Sequence, residues 1–170
     1  MKIYLIAAIG NNNEIGKDND LLWHLPADMN FFKEMTKHKV VVMGRRNYDS
    51  IPPKYRPLPN RTNIVITRNP DLEAPECYVC ASLQEALEIS AEIGEEEVFI
   101  IGGEQIYTLA LQELDVDRLY ITHVNADFPD AHAHFPKFNP EDWNVTTLSE
   151  HPKDEEHTFN FTIKQYDQKG

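Results

Sequence analysis

Apolar runs divide the chain at Lys2–Ile9, Val40–Met43, Asn63–Thr67, Tyr78–Cys80, Val98–Ile101 and Arg118–Val124. Several are rich in Ile and Val with almost no polar alternation, the pattern of strands covered on both faces. Between them apolar residues recur every three or four positions, which predicts helices. One begins at Pro26, whose fixed φ and missing N–H suit a first helical position. A second begins near Arg45. A third opens on the capping box Ser82-Leu83-Gln84-Glu85 and turns Leu83, Ala86, Leu87 and Ile93 inward. A fourth begins near Gly103 and presents Ile106, Leu109, Ala110 and Leu114. The tail changes period. Trp143–Leu148 reads as a strand, and over Thr158–Tyr166 the residues Phe159, Phe161 and Ile163 alternate with Asn160, Thr162 and Lys164. A period of two predicts a half-exposed antiparallel hairpin.

The order of elements predicts an α/β fold: a central, mostly parallel sheet of about eight strands, with four helices flanking both faces and a C-terminal antiparallel hairpin. No repeat, low-complexity tract or linker interrupts the 170 residues, so a single domain over 1–170 is expected.

Composition narrows the function classes. A hydrophobic share of 41% and an aromatic share of 10% suit a globular chain. The formal charge of -12 argues against nucleic-acid binding, which rests on neutralising phosphates with Lys and Arg. It leaves room for an anionic small molecule held by a few focused arginines. Ile3–Ile9 is short, has no strongly cationic start and no small-residue cleavage pattern, and nothing reaches membrane-spanning length. A cytoplasmic protein with no membrane partner is expected. Cys77 and Cys80 form a CxxC, but a strand there turns them to opposite faces and no second pair completes a zinc site. His132-Ala133-His134 also lacks a completing carboxylate or cysteine at matching spacing, so no metal is expected.

Asp28 is the first candidate for chemistry. It falls in the first turn of the helix from Pro26, with Phe32 one turn further on the same face. A carboxylate beside an apolar surface needs a cation or N–H groups to meet it; the other reading is a solvated acid placed for the helix dipole. Two strand-to-helix junctions carry glycine: Val41-Val42-Met43-Gly44-Arg45-Arg46 and Ile100-Ile101-Gly102-Gly103-Glu104-Gln105-Ile106-Tyr107. Helix starts after strands suit phosphates, and a dinucleotide has two ends to hold. Arg45, Arg46 and Arg68, which follows Thr67, can either bind a terminal 2′-phosphate, favouring NADP over NAD, or stay solvated. No Gly-x-Gly-x-x-Gly or P-loop is present. The polar loop from Gly10 to Gly16 suits a lid or an ordinary turn.

Taken in order, these segments resemble dihydrofolate reductases of the bacterial type. The resemblance rests on Leu5-Ile6-Ala7-Ala8, Ile15-Gly16, Trp23 with Leu25-Pro26-Ala27-Asp28, Phe32-Lys33, Val42-Met43-Gly44-Arg45, Ser50-Ile51, Arg56-Pro57-Leu58-Pro59-Asn60-Arg61, Asn63-Ile64-Val65, Ile101-Gly102-Gly103 with Tyr107, Leu119-Tyr120-Ile121-Thr122, and His134-Phe135-Pro136. It implies NADPH-dependent reduction of 7,8-dihydrofolate to 5,6,7,8-tetrahydrofolate, in support of one-carbon metabolism and nucleotide synthesis, by an antifolate-sensitive type of enzyme acting as a monomer. It implies that Asp28 receives the pterin N–H groups and assists protonation at nitrogen 5, that Trp23 orders the adjoining water and loop, and that Thr122 bonds the acid. Tyr107 joins this catalytic set. Leu5, Ile6, Ala8, Met29, Phe32, Ile51, Leu58 and Ile101 are implied around the pterin and aminobenzoyl rings, with Arg61 on the substrate's glutamate carboxylate. Ala8, Ile15, Gly16, Gly44, Arg45, Arg46, Thr67, Arg68, Gly102, Gly103, Glu104, Gln105, Ile106 and Tyr107 are implied around the cofactor, the two glycines joined by a cis bond.

The chain departs from the family pattern at Leu22, Asn47, Glu104, the Pro52–Tyr55 insertion and Asp130–His134. Glu104 follows the glycine pair where a small residue is frequent, and a carboxylate near the pyrophosphate is unfavourable unless it points away. A reductase of another pterin or of a flavin-pathway intermediate on the same fold would not be expected to keep both Asp28 and Arg61, nor a non-catalytic nucleotide- or folate-binding module to keep Asp28, Trp23 and the glycine pair.

Overall fold

A computed structural model describes residues 1–16 and 23–170. Ten strands and four α-helices alternate along the chain: β1 (Lys2–Ile9), β2 (Glu14–Gly16), α1 (Pro26–Thr36), β3 (Val40–Gly44), α2 (Arg45–Ser50), β4 (Thr62–Ile66), β5 (Tyr78–Cys80), α3 (Leu83–Glu92), β6 (Glu97–Ile100), α4 (Glu104–Glu113), β7 (Arg118–Val124), β8 (Ala133–His134), β9 (Trp143–His151) and β10 (Phe161–Gln168).

Eight strands form one sheet in the order β5-β4-β3-β6-β1-β7-β10-β9. Neighbours from β5 to β7 all pair parallel. Only β10 runs against its neighbours, antiparallel to both β7 and β9. The mostly parallel sheet with its C-terminal antiparallel hairpin is as expected. β2 and β8 form a separate antiparallel pair that hydrophobic patterning did not predict; three and two residues are too few to show a period.

The inner strands are apolar on both faces because helices cover both. Val40 to Met43 are essentially solvent-free. On one face Leu5, Val42 and Ile100 pack with Leu83 and Ala86 of α3 and Ile106, Tyr107 and Ala110 of α4. On the other, Ile6, Val41, Met43 and Tyr120 pack with Phe31, Phe32 and Met35 of α1 and Tyr48 of α2. A smaller cluster at the β10 end joins Leu25, Val124, Phe161 and Ile163 to Trp23 and Ala27.

Local signals account for the boundaries. The Ser82 hydroxyl accepts the Glu85 N–H at 3.1 Å and Glu85 Oε2 accepts the Ala81 N–H at 3.0 Å. Ile93, expected to face inward, instead lies exposed at the C-cap of α3. β10 starts at Phe161 rather than 158, because Asn160 Oδ1 takes the Lys153 N–H in the turn and the Phe159 ring packs on Phe128. Both thiols are free; Cys80 packs into the α3/α4 face and Cys77 against the other, so the CxxC is divided by the sheet.

Candidate active site

Asp28 is brought to a buried hydroxyl. It lies in the first turn of α1, while Thr122 on β7 pairs with Ala8 of β1 on one side and Ile163 of β10 on the other. Thr122 Oγ1 donates to Asp28 Oδ1 at 2.5 Å. Burial pushes the Asp28 carboxyl above the usual range, and the hydroxyl opposes this without cancelling it. Desolvation of the charged form therefore outweighs this bond. A carboxyl that keeps its proton above its ordinary pKa can donate as well as accept.

The remaining α1-side residues form a wall running away from Asp28. Phe32, Ile51 and Leu58 are half-buried against the same core, and Met29 is half exposed beside them. The Arg61 guanidinium stands 5.9 Å from the Phe32 ring centre. Its Nε donates to Pro59 O at 2.9 Å and its Nη1 to Thr36 Oγ1 at 3.2 Å. Burial pulls the Arg61 pKa down. Asn63 was not singled out as a site residue, yet it shapes this wall: its buried amide accepts the Leu58 N–H and donates to the carbonyls of Leu58 and Arg61. A polar residue inside the apolar Asn63–Thr67 run was the available signal.

Across the sheet end the material is backbone. The Gly102–Gly103 bond is cis, and Gly102 has φ +120°. A Cβ on Gly102 would lie 3.2 Å from the Tyr107 ring, and one on Gly44 would lie 2.9 Å from Ile106. Gly44 N–H donates to Gly102 O at 2.9 Å, stitching the two junctions together. Tyr107, buried, donates its hydroxyl to Ile6 O at 2.7 Å; burial raises its pKa far out of working range, so it acts as a donor and not as an acid. No side chain caps α4 at Gly103, and nothing lies within 4 Å of the Cβ position there. This open, uncapped helix start suits an anionic group. Arg45, Arg46 and Arg68 are exposed at the ends of β3 and β4, Arg45 pairing with Asp49 at 3.3 Å. The Thr67 hydroxyl accepts the Asn69 N–H. These features fit a phosphate-bearing dinucleotide.

Some expected residues are placed differently. Leu5 is fully buried on the α3/α4 face, the opposite side of β1 from Ile6. Ile106 is likewise in that core, so its part near a ligand is confined to the backbone. Ile101 and Ile6 share the α1-facing cluster. Gln105 is exposed at the α4 start. Glu104 Oε1 accepts the His134 N–H at 2.6 Å. Asn47 turns its amide to Ile101 O at 3.3 Å, and Pro53–Tyr55 forms an exposed 3-10 turn.

The loop from Gly10 to Gly16 is anchored by Glu14, a second residue that sequence patterning missed. Its buried carboxylate accepts the N–H groups of Asn12 and Phe128, both at 2.6 Å. Burial pushes this carboxyl up, but the backbone N–H groups outweigh it and hold it below the usual range. Ile15 packs on the α3/α4-side core, Gly16 O accepts the His132 N–H at 2.8 Å, and Trp23 packs on Phe128 at 5.1 Å. The expectation about Leu22 lies outside the described residues.

A carboxyl bonded to a buried hydroxyl, on the same α/β sheet as a glycine-built, uncapped helix start, suits an α/β enzyme that uses a phosphate-bearing cofactor. The family model described as dihydrofolate reductase matches residues 2–168. The chain is 41% identical to dihydrofolate reductase of Bacillus subtilis (strain 168), over 99% of this chain and 95% of that one. It is 45% identical to dihydrofolate reductase type 3 of Salmonella typhimurium, over 94% and 93%. A solved dihydrofolate reductase from Enterococcus faecalis, complexed with NADP(H) and RAB-propyl, superposes with a TM-score of 0.87 at 32% identity, covering 99% of this chain and 97% of that one. The chain belongs to the dihydrofolate reductase family.

Proposed function

We propose that the protein reduces 7,8-dihydrofolate to 5,6,7,8-tetrahydrofolate with NADPH, as a monomeric, single-domain cytoplasmic enzyme that serves one-carbon metabolism. The observation that carries this reading is the Asp28 carboxyl, bonded to Thr122 at 2.5 Å and raised in pKa by burial. No helix among the described residues is long and apolar enough to cross a membrane.

Asp28 accepts the pterin amino and ring N–H groups and so fixes the ring's orientation. Thr122, donating to the acid, limits its rotation. Because burial disfavours the bare carboxylate, Asp28 keeps its proton to higher pH than an exposed carboxyl does, which supports protonation at nitrogen 5. Phe32, Ile51 and Leu58 exclude water along the wall, and Arg61 meets the substrate's glutamate carboxylate with a fork suited to that group. On the other side Gly44, Gly102, Gly103 and the start of α4 accept the pyrophosphate at backbone distance, with Arg45, Arg46 and Arg68 at the 2′-phosphate. When bound, NADPH supplies the hydride for pterin carbon 6. Tyr107 holds β1 at Ile6, so the two ligands are oriented across one rigid strand.

The test is the loss of NADPH absorbance with and without dihydrofolate. Oxidation is expected only when dihydrofolate is present, and far more slowly with NADH. NADPH oxidation indifferent to dihydrofolate would overturn the reading.

A further inference from the structure

The turn joining β9 to β10 reaches back to the start of α1. His157, only 3% exposed, stands with Nε2 3.0 Å from the Ala27 N–H. Its Nδ1 is 2.8 Å from Asp154 Oδ1. Asp154 also accepts the backbone N–H groups of Glu156 and His157, so the turn is closed on itself. These partners decide where the imidazole proton sits. An N–H donor at Nε2 needs a lone pair there, so Nδ1 carries the hydrogen and donates it to Asp154. α1 faces the ring with backbone; the other titratable neighbour is His151, whose ring centre is 4.3 Å away.

Ala27 carries one of the first N–H groups of α1, which have no partner within a helix. Leu25 at the N-cap makes no side-chain bond to them. The cap therefore comes from 130 residues away in sequence, and it acts on the residue next to Asp28. The same hairpin supplies β10, whose Ile163 pairs with Thr122. Both partners of the Thr122–Asp28 hydrogen bond are thus placed by one supersecondary unit.

We infer that His157, held by Asp154 in its Nδ1–H form, is a positioning residue that caps α1 and sets the Asp28 carboxyl against Thr122. This rests on the reading of Asp28 as the substrate anchor.

A metal is the competing use of the same groups. His151, Asp154 and His157 each offer one ligand atom, all within 4.8 Å of one another. A metal on Nδ1 would drive the remaining proton to Nε2, setting it against the Ala27 N–H, donor to donor. Capping and metal ligation at Nδ1 exclude each other.

Three variants test the inference. His157→Gln keeps an acceptor for Ala27 and a donor for Asp154. His157→Phe keeps a ring against Phe161 but no acceptor, and Asp154→Ala releases the tautomer. Turnover with dihydrofolate is expected to stay within about threefold for His157→Gln and to fall roughly tenfold or more for His157→Phe, the scale of a misplaced reacting group. Asp154→Ala should fall between them. Carbon-13 NMR of the Asp28 carboxyl should show its titration moving toward the ordinary carboxyl range in His157→Phe and not in His157→Gln. Nitrogen-15 spectra of the unaltered protein should show Nε2 unprotonated, and zinc should leave them unchanged. Should His157→Phe lower the melting temperature while kcat, KM and the Asp28 titration stay as in the parent, the role is merely structural and the inference fails. A protonated Nε2, or zinc bound at full activity, overturns it too. If His157→Phe does not fold, the Asp154→Ala and His157→Gln pair decides in the same way. The NMR readouts need no turnover, so absence of dihydrofolate reduction would count against the proposed function and not against the cap.

Discussion

The two walls of the candidate site are made of different material. On the α1 side it is side chains held by other side chains: Asp28 by Thr122, Arg61 by Thr36, and the loop under it by Asn63. On the Gly102 side it is backbone, closely approached at Gly44 and Gly102 where a Cβ is missing. The first wall tolerates changes of shape better than changes of charge. The second has no easy room for an added methyl group at Gly102 or Gly44, whatever the chemistry of the newcomer.

The sharpest way to break this contrast is at Asp28. Asp28→Asn keeps the shape and removes the acid, and turnover near neutral pH should fall about a hundredfold or more, with NADPH affinity unchanged in a fluorescence titration. Next comes Arg61→Gln. The KM for dihydrofolate should rise about tenfold to a hundredfold as a charge-assisted pair is lost, with kcat largely kept in steady-state kinetics. On the backbone wall, Gly102→Ala should weaken NADPH about tenfold, since the added Cβ meets Tyr107 and the φ is strained by roughly 1–3 kcal/mol; the dihydrofolate KM should hardly move. Arg68→Gln should narrow the preference for NADPH over NADH, read as the ratio of kcat/KM values, without changing dihydrofolate binding.

The smallest effect has the opposite sign. The folded protein raises the Asp28 pKa, so between the ordinary carboxyl pKa and the raised one it binds more protons than the unfolded chain. Stability therefore falls as pH rises through that window. Asp28→Asn should melt slightly higher than the parent at neutral pH, and the gap should close in acid, where the parent carboxyl is neutral in both states.

The same contrast explains what could be read from residue order. Glycine pairs after apolar runs, Pro26 ahead of Asp28, and the Ser82–Glu85 box each carry their physics within a few neighbours, and with the apolar runs they predicted the sheet and the helices. Glu14, Asn63 and His157 do not. Each acts through backbone groups that the fold brings close, and only Asn63 stood out as a polar residue in an apolar run. Leu5 shows the complementary limit: an uninterrupted apolar strand does not reveal which residue faces which helix. Ile93 failed for a related reason, since a helical period continues on paper after the helix has ended.

The antiparallel strand β10 also bears on how the protein is made. β1, made before the other strands of its sheet, ends up inside it, but β7 stays an open edge until residues 161–168 have been synthesised. A nascent chain halted before Phe161 would carry a nearly complete cofactor cradle beside a raw strand edge, with Thr122 unpaired on one side. Such an edge invites pairing with other chains. The strand that covers β7 and pairs Ile163 with Thr122 is therefore added only after all the other strands of the sheet have been made.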